Sequence, residues 1–152
     1  MTFFGLGIAI FFFIHGQVGC PACAGNLDLL PYFGINKVIF CGGGGVLDKN
    51  IEVGKSLVVN GAIRDEGFSY HYLEPFRVVY CEPKYAKKND YLIGLTRTAD
   101  AIFREIIDCI NFRRSEGAKI VEVEQAGCIS VALFFKGLLW RSNLWGRRCF
   151  SK

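Results

Sequence analysis

Apolar residues along this chain gather into short dense runs, separated by glycines and by charged clusters. Phe3 to Ile14 is one such run, and its β-branched and aromatic part, Ile8 to Ile14, predicts a buried central strand. Gly16 to Gly19 punctuate it, and Pro21 suits the first turn of a helix through "ACAGNLDLLPYFG". Leu27, Leu30 and Phe33 fall on one face of that helix, and Gly34 ends it. "NKVIFC" predicts a strand, which "GGGG" follows at once; Ser56 to Ile63 and "PFRVVYC" predict two more. Glu82 to Tyr91 is short and polar. In "TADAIFREIIDCINFRR" the positions Ile102, Ile106, Cys109, Ile110 and Arg113 follow the 3.6-residue period, so a helix is expected there, capped by Thr98 or Asp100. "AKIVEVE" predicts a strand running into a second apolar-faced helix, "QAGCISVALFFKG". Alternating strands and helices predict an α/β fold, a mixed central sheet flanked by helices.

Length and composition narrow this picture. The chain has 152 residues, 51% hydrophobic and 21% charged, enough for one domain with a real core and against disorder. The net charge of +4 lies entirely in the last twelve residues, which hold Arg141, Arg147, Arg148 and Lys152 and no acid. The rest is neutral, which argues against a nucleic-acid-binding stripe. Seven cysteines, at 20, 23, 41, 81, 109, 128 and 149, are an odd number set mostly in apolar runs. That suits reduced, buried thiols in a cytoplasmic protein better than a disulfide frame. The N-terminal run has no basic residue before it and is too short to span a bilayer. A cleavage after "ACA" at 22–24 would cut into a helix start, so the run reads as a strand rather than a signal or membrane segment.

Four stretches carry candidate chemistry. "CPAC", Cys20 to Cys23, has the spacing of a redox pair at a helix start, or places two small residues where helix and backbone pack closely; the missing aromatic before it favours packing. With only His15 and His71 and no second C-x-x-C, a zinc site is the weaker reading. Gly42, Gly43, Gly44 and Gly45 follow a strand as a phosphate loop does, but they fit neither G-x-x-x-x-G-K-S/T nor a helix-opening G-x-G-x-x-G, and a tight turn is the plain alternative. "RDEGFSYHY" crowds Arg64, Asp65, Glu66, Ser69, Tyr70, His71 and Tyr72 behind a strand, where α/β folds place ligands. There His71 suits a general acid or base, or a donor to a sugar hydroxyl; a solvated loop is the alternative. "VEVEQAG" sends Glu122 and Glu124 to one face if the strand continues, with Val123 opposite. A carboxylate at a strand tip accepts hydrogen bonds from vicinal hydroxyls such as those of a ribose, or simply favours a helix N-terminus.

Taken in order, these segments resemble the nucleoside phosphorylase superfamily of purine and uridine phosphorylases. "VGCPACAGNLDLLPYFGINKVIFCGGGGVL" is similar to the family's stretch from a G-x-P-A turn through a helix to the glycine-rich phosphate strand. "IEVGKSLVVNGAIRDEGFSYHYL", "GLTRTADAIFRE" and "IVEVEQAGCISVALFFKG" resemble its next three segments, and the likeness runs from about Ile10 to Lys136. The resemblance implies phosphorolysis of a purine nucleoside or uridine to free base and ribose 1-phosphate, with phosphate as co-substrate and no metal or organic cofactor. Nucleoside and phosphate are the implied partners, with no nucleic acid and no membrane, in a homo-oligomer if the chain is full-length. Gly42 to Gly45 match the phosphate loop. Glu124 matches the glutamate on the ribose hydroxyls, and Val123 the methionine under the sugar. Asp100 matches an aspartate beside the base segment, so Thr96 to Arg104 would lie near the base. Arg64 or His71 would serve a sugar or phosphate oxygen.

The departures from that pattern are informative. Phe40 stands where the family has a phosphate arginine, and Gly43 where it has serine or threonine. Each missing donor to a charged partner costs about 1.5–3 kcal/mol. The family's first strand and glycine-arginine phosphate segment have no counterpart before Thr2, and Glu82 to Gly94 reads as shortened. The expected organisation is a partial phosphorylase-like domain over 1–137 and a divergent basic tail over 138–152. A one-base shift can turn "LLWRSNLWGRRCFS" into a sequence like the family's next strand and acidic motif, so the tail is read as out of frame; the gene sequence tests this. An incomplete site leaves two other readings: a non-catalytic nucleoside- or phosphate-binding remnant, and a C-x-x-C thiol redox protein.

Overall fold

A computed structural model of the chain describes residues 2–6, 9–81, 92–136 and 138–148. Strands β1 (Thr2–Leu6) and β2 (Ala9–Phe13) pair antiparallel as a two-stranded sheet of their own. The predicted central strand at the N-terminus is thus an outlying hairpin, and Phe13 and Ile14 are exposed. Helix α1 (Cys20–Leu29) takes Pro21 in its first turn, as expected, and runs into a 3₁₀ turn, Leu30–Phe33, that ends on Gly34 at φ 76°.

The main sheet uses β3 (Lys37–Val46), β4 (Ser56–Asp65), β5 (Val78–Tyr80), β6 (Leu92–Ala99), β7 (Ala118–Glu122) and β8 (Leu139–Arg148) in the order β5-β4-β6-β7-β3-β8. It is mixed: β4–β6, β6–β7 and β3–β8 are parallel, and β4–β5 and β3–β7 antiparallel. β8 also pairs with the start of β4, Ser56–Val58 against Trp145–Asn143, on the edge that β5 takes further along at Gly61–Ile63. Five strands therefore close into a barrel, and β5 lies outside the ring. The mixed α/β architecture is as expected. The tail residues Leu139–Arg148 complete it as a strand.

Helix α3 (Gln125–Phe134) is buried from Gln125 to Ala132, on every face, because the barrel lies on one side of it and α1 on the other. Cys23, Ala24 and Leu27 of α1 meet Ala126, Cys128, Ile129 and Val131 of α3 over Leu57, Val59, Ile120 and Leu144 of the strands.

Helix α2 (Ile107–Ser115) starts well after the expected cap. Thr98 and Ala99 belong to β6, paired with Arg64 and Asp65, and the Thr98 hydroxyl is committed to a buried carboxylate. Ile102 and Ile106, expected on a buried helix face, are 49% and 57% exposed in the connecting loop. Of the segment Glu82 to Gly94, read as shortened, residues 82–91 lie outside the described residues, and Leu92 to Gly94 open β6. Among the described residues no helix is long and apolar enough to cross a membrane.

Candidate functional site

The parallel pairing of β6 and β7 sets Thr98 opposite Glu122 at the strand ends, directly before α3. Glu122 is buried. Its Oε1 accepts from the hydroxyls of Thr98 (2.6 Å) and Thr96 (3.1 Å), and its Oε2 accepts the backbone N–H groups of Glu124 and Gln125, both at 2.7 Å. The Thr98 Oγ1 accepts the N–H of Ala126 at 2.9 Å. The unpaired N–H groups of the first turn of α3 are thus met by β6 and β7 rather than by a capping side chain. Burial pushes the Glu122 carboxyl up to about 7, against the lowering effect of these hydrogen bonds.

β7 ends at Glu122, so strand alternation does not carry on to Glu124 and the expected shared face is not formed. Glu124 instead occupies the N-cap position of α3, 8% exposed, and its Oε1 accepts the N–H of Gly19 at 3.0 Å. Gly19 precedes α1 with φ 89°, a backbone state that favours glycine. The Cys20 thiol donates to the Glu124 carbonyl, and the starts of α1 and α3 are tied at this one residue. Burial raises the Glu124 carboxyl above its ordinary value, opposed by the backbone N–H groups of Gly19 and Val123.

The "RDEGFSYHY" stretch folds over a 3₁₀ turn, Phe68–His71. Arg64 is 2% exposed. Its guanidinium donates to Ser69 Oγ (2.7 Å) and to the carbonyls of Leu73 (3.3 Å), Glu74 (2.5 Å) and Phe76 (3.0 Å), with the Tyr70 ring 3.9 Å away. Glu66 accepts the Ser69 N–H at 2.9 Å and its hydroxyl. Arg64 therefore organises this loop from within, and the expectation that it meets a sugar or phosphate oxygen gives way to that role. His71 is exposed at the end of the turn. Asp100, also exposed, accepts the Gly67 N–H at 3.1 Å and ties the end of β6 to the loop. Phe68 packs close to Gly127 in α3, which brings the loop to the helix start beside Glu124. Thr96 and Thr98 thus serve Glu122 from inside, while Arg97 points to Asp65 (2.7 Å) and Glu105 (2.6 Å). Arg77 and Arg113 complete that ion cluster with Asp65 and Glu116.

Gly42 to Gly45 do not form a loop. They lie inside β3, paired in register with Leu144 to Arg147 of β8, and Gly45 also pairs with Val121. A Cβ on Gly44 would meet Ile120 Cγ2 at 2.2 Å and the Val121 carbonyl at 2.9 Å, so glycine here allows β3 to approach β7.

Cys20 and Cys23 are buried, and the Cys23 and Cys128 sulfurs stand 3.6 Å apart. Burial and the charge of Glu66 push the Cys20 thiol far up. A reactive C-x-x-C needs an exposed, low-pKa thiolate, so the close-packing reading is the one this geometry favours. A hollow of about 440 Å³ is lined by Leu47, Asp48, Lys49, Arg114, Gly117, Ala118 and Lys119, none of them among the candidate site residues.

What sequence reasoning missed is the part played by Gly19, Thr98 and Glu122. The β-branched alternation of "LTRT" was the available signal that Thr98 lies in a strand.

A family model described as the phosphorylase superfamily matches residues 2–138. A guanosine phosphorylase of Halorubrum lacusprofundi is 36% identical over 55 residues, which is 36% of this chain and 23% of that protein. A uridine phosphorylase structure from Vibrio fischeri superposes with a TM-score of 0.76 at 22% identity, covering 88% of this chain and 59% of that one. An AMP nucleosidase structure from Bacteroides thetaiotaomicron gives 0.75 at 25% identity, with 86% and 61% covered. The chain spans about three fifths of these two structures.

Proposed function

The chain belongs to the phosphorylase superfamily, and from that premise we propose that it binds a purine nucleoside or uridine and cleaves its N-glycosidic bond. The observation that carries the proposal is Glu124: a nearly buried carboxylate at the joint of two helix starts, oriented by the Gly19 N–H. Such a group accepts hydrogen bonds from vicinal ribose hydroxyls. In a low-dielectric setting its charge favours the positive, oxocarbenium-like sugar of the transition state more than the neutral ground state.

In this reading Val123 lies under the sugar, and the segment from Thr96 to Arg104 lies near the base. Arg64 fixes the loop that presents His71, which is the proton donor or hydroxyl contact at the entrance. Glu122 acts through Glu124 by holding its backbone N–H. The proposal needs no metal or organic cofactor. It places the protein in the cytoplasm and completes the site in a homo-oligomer.

The test is calorimetric titration with inosine, guanosine and uridine, alongside chromatography for released base. Glu124→Gln keeps the shape but removes the charge. Charged hydrogen bonds exceed neutral ones by about 1–1.5 kcal/mol, so nucleoside affinity should fall roughly tenfold. Binding of none of the three nucleosides overturns the proposal.

A further inference from the structure

We infer that Phe40 closes the glycine strand to phosphate, so that water is the only acceptor this site offers to the sugar carbon. Three observations lead there. First, the Phe40 ring lies against the inner face of the strand. A Cβ on Gly42 would meet its Cε1 at 2.7 Å and its Cζ at 3.1 Å, and a Cβ on Gly16 would meet its Cε2 at 3.4 Å. The ring therefore fills the space between β3 and the segment that leads into α1, three residues before the Gly19 N–H that holds Glu124. Second, Gly42 to Gly45 are extended. None has a positive φ, while Gly19, Gly34, Gly54 and Gly117 do. An anion-binding nest needs successive N–H groups to converge, through alternating right- and left-handed residues. In an extended strand successive N–H groups point to opposite edges, and on one edge of β3 the β8 ladder runs from Lys37 to Val46. Third, four arginines around the site are already paired. Arg64 holds Ser69 and loop carbonyls, and Arg77, Arg97 and Arg113 hold Asp65, Glu105 and Glu116. An apolar ring over a strand with no nest, beside arginines committed to other partners, gives a dianion little in exchange for its water.

The consequence for the reaction rests on the nucleoside reading above. The C1′–N bond breaks with its electron pair on the base, which takes up a proton. A water oxygen bonds to C1′ and releases a proton to solvent. The products are free base and free ribose.

The exclusion itself is tested on the full chain by following ³¹P line width and shift as inorganic phosphate is titrated to millimolar levels. No saturable binding is expected for the wild type, and Phe40→Arg should create it. If that variant fails to fold, the wild-type titration still decides. Saturable wild-type binding overturns the inference; if Arg147→Ala abolishes it, the cation came from β8, whose residue 147 is paired with Gly45. With nucleoside present, base release at the same rate with and without phosphate, yielding ribose, supports the consequence, and ribose 1-phosphate refutes it. If no nucleoside binds, the nucleoside reading falls while the phosphate titration stands as its own result.

Discussion

At Glu122 burial and hydrogen bonding pull in opposite directions. Burial wins, and the carboxyl titrates near 7, well above its ordinary range. The network accommodates both states. The Thr96 hydroxyl is 3.1 Å from the Ile120 carbonyl as well as from Glu122, so it can donate to either. A protonated Glu122 can donate to Thr96 in turn. Because the folded-state pKa is raised, folding stability from this group is fully present below the unfolded value and is lost as pH rises through about 7. A shift of this size is worth about 3 kcal/mol. Glu122→Gln should therefore flatten the urea midpoint between about pH 4.5 and 7, where the wild type loses stability; a variant with the wild-type slope would show that Glu122 does not hold this proton. Gly44 gives a second single-residue prediction. Gly44→Ala places a methyl inside Ile120 and against the Val121 carbonyl. Backbone cannot yield as a side-chain tip does, so the loss should be about 1–3 kcal/mol by denaturant titration, whereas Gly67→Ala, which meets nothing within 4 Å, should cost much less.

Between elements, charge does what the sequence pattern could not announce. Burial alone would raise Asp65, but hydrogen bonds from Arg77 and Arg97 and the charges of Arg77 and Arg113 outweigh it and lower its pKa. Glu116 is lowered chiefly by its hydrogen bond from Arg77. Groups lowered in the folded state stabilise above the unfolded pKa and lose that contribution as pH falls through the folded one. The acid limb of a stability profile should therefore belong to Asp65 and Glu116, opposite in sign to Glu122. Asp65→Asn should move acid unfolding to higher pH, measured by circular dichroism. The same ion cluster explains why the helix at "TADAIFRE" was misplaced. Its 3.6 period is real, but Arg97 pairs with Asp65 and Thr98 with Glu122 only if the segment leaves the sheet as β6. Such tertiary pairing overrides a local preference. By contrast, α1, with Pro21 at its start and Gly34 beyond its end, and α3, a short, mostly apolar helix after a strand, were legible because their signals are local. Glu124 was legible as a site residue through its motif. Its partner Gly19, 105 positions away, was not. The glycine run was legible as important but not as a strand, because the β8 ladder that extends it lies a hundred residues downstream.

Across the whole molecule, closure of the barrel depends on the segment with the least family resemblance. β8 borders β3 along ten residues and reaches β4 at Ser56–Val58. Without it, β3 and the start of β4 would each present an unpaired edge. Alternation along β8 divides the residues that are buried from those that are not: Ser142 and Leu144 are buried, and Trp145 is 47% exposed. Leu144 is wholly buried, close to Gly42 and within the cluster that joins α1, α3 and the strands. If β8 closes the barrel in this register, Leu144→Ala opens a cavity in the shared core and should cost about 2–5 kcal/mol. Trp145→Ala, although it removes the larger side chain, should cost well under half of that, because its ring already meets solvent. A register displaced by one residue reverses the order, since every side chain then changes face. The two denaturant midpoints measured side by side thus test the closure itself: a larger loss for Trp145→Ala, or no loss for either, would show that the tail does not lie in the barrel wall.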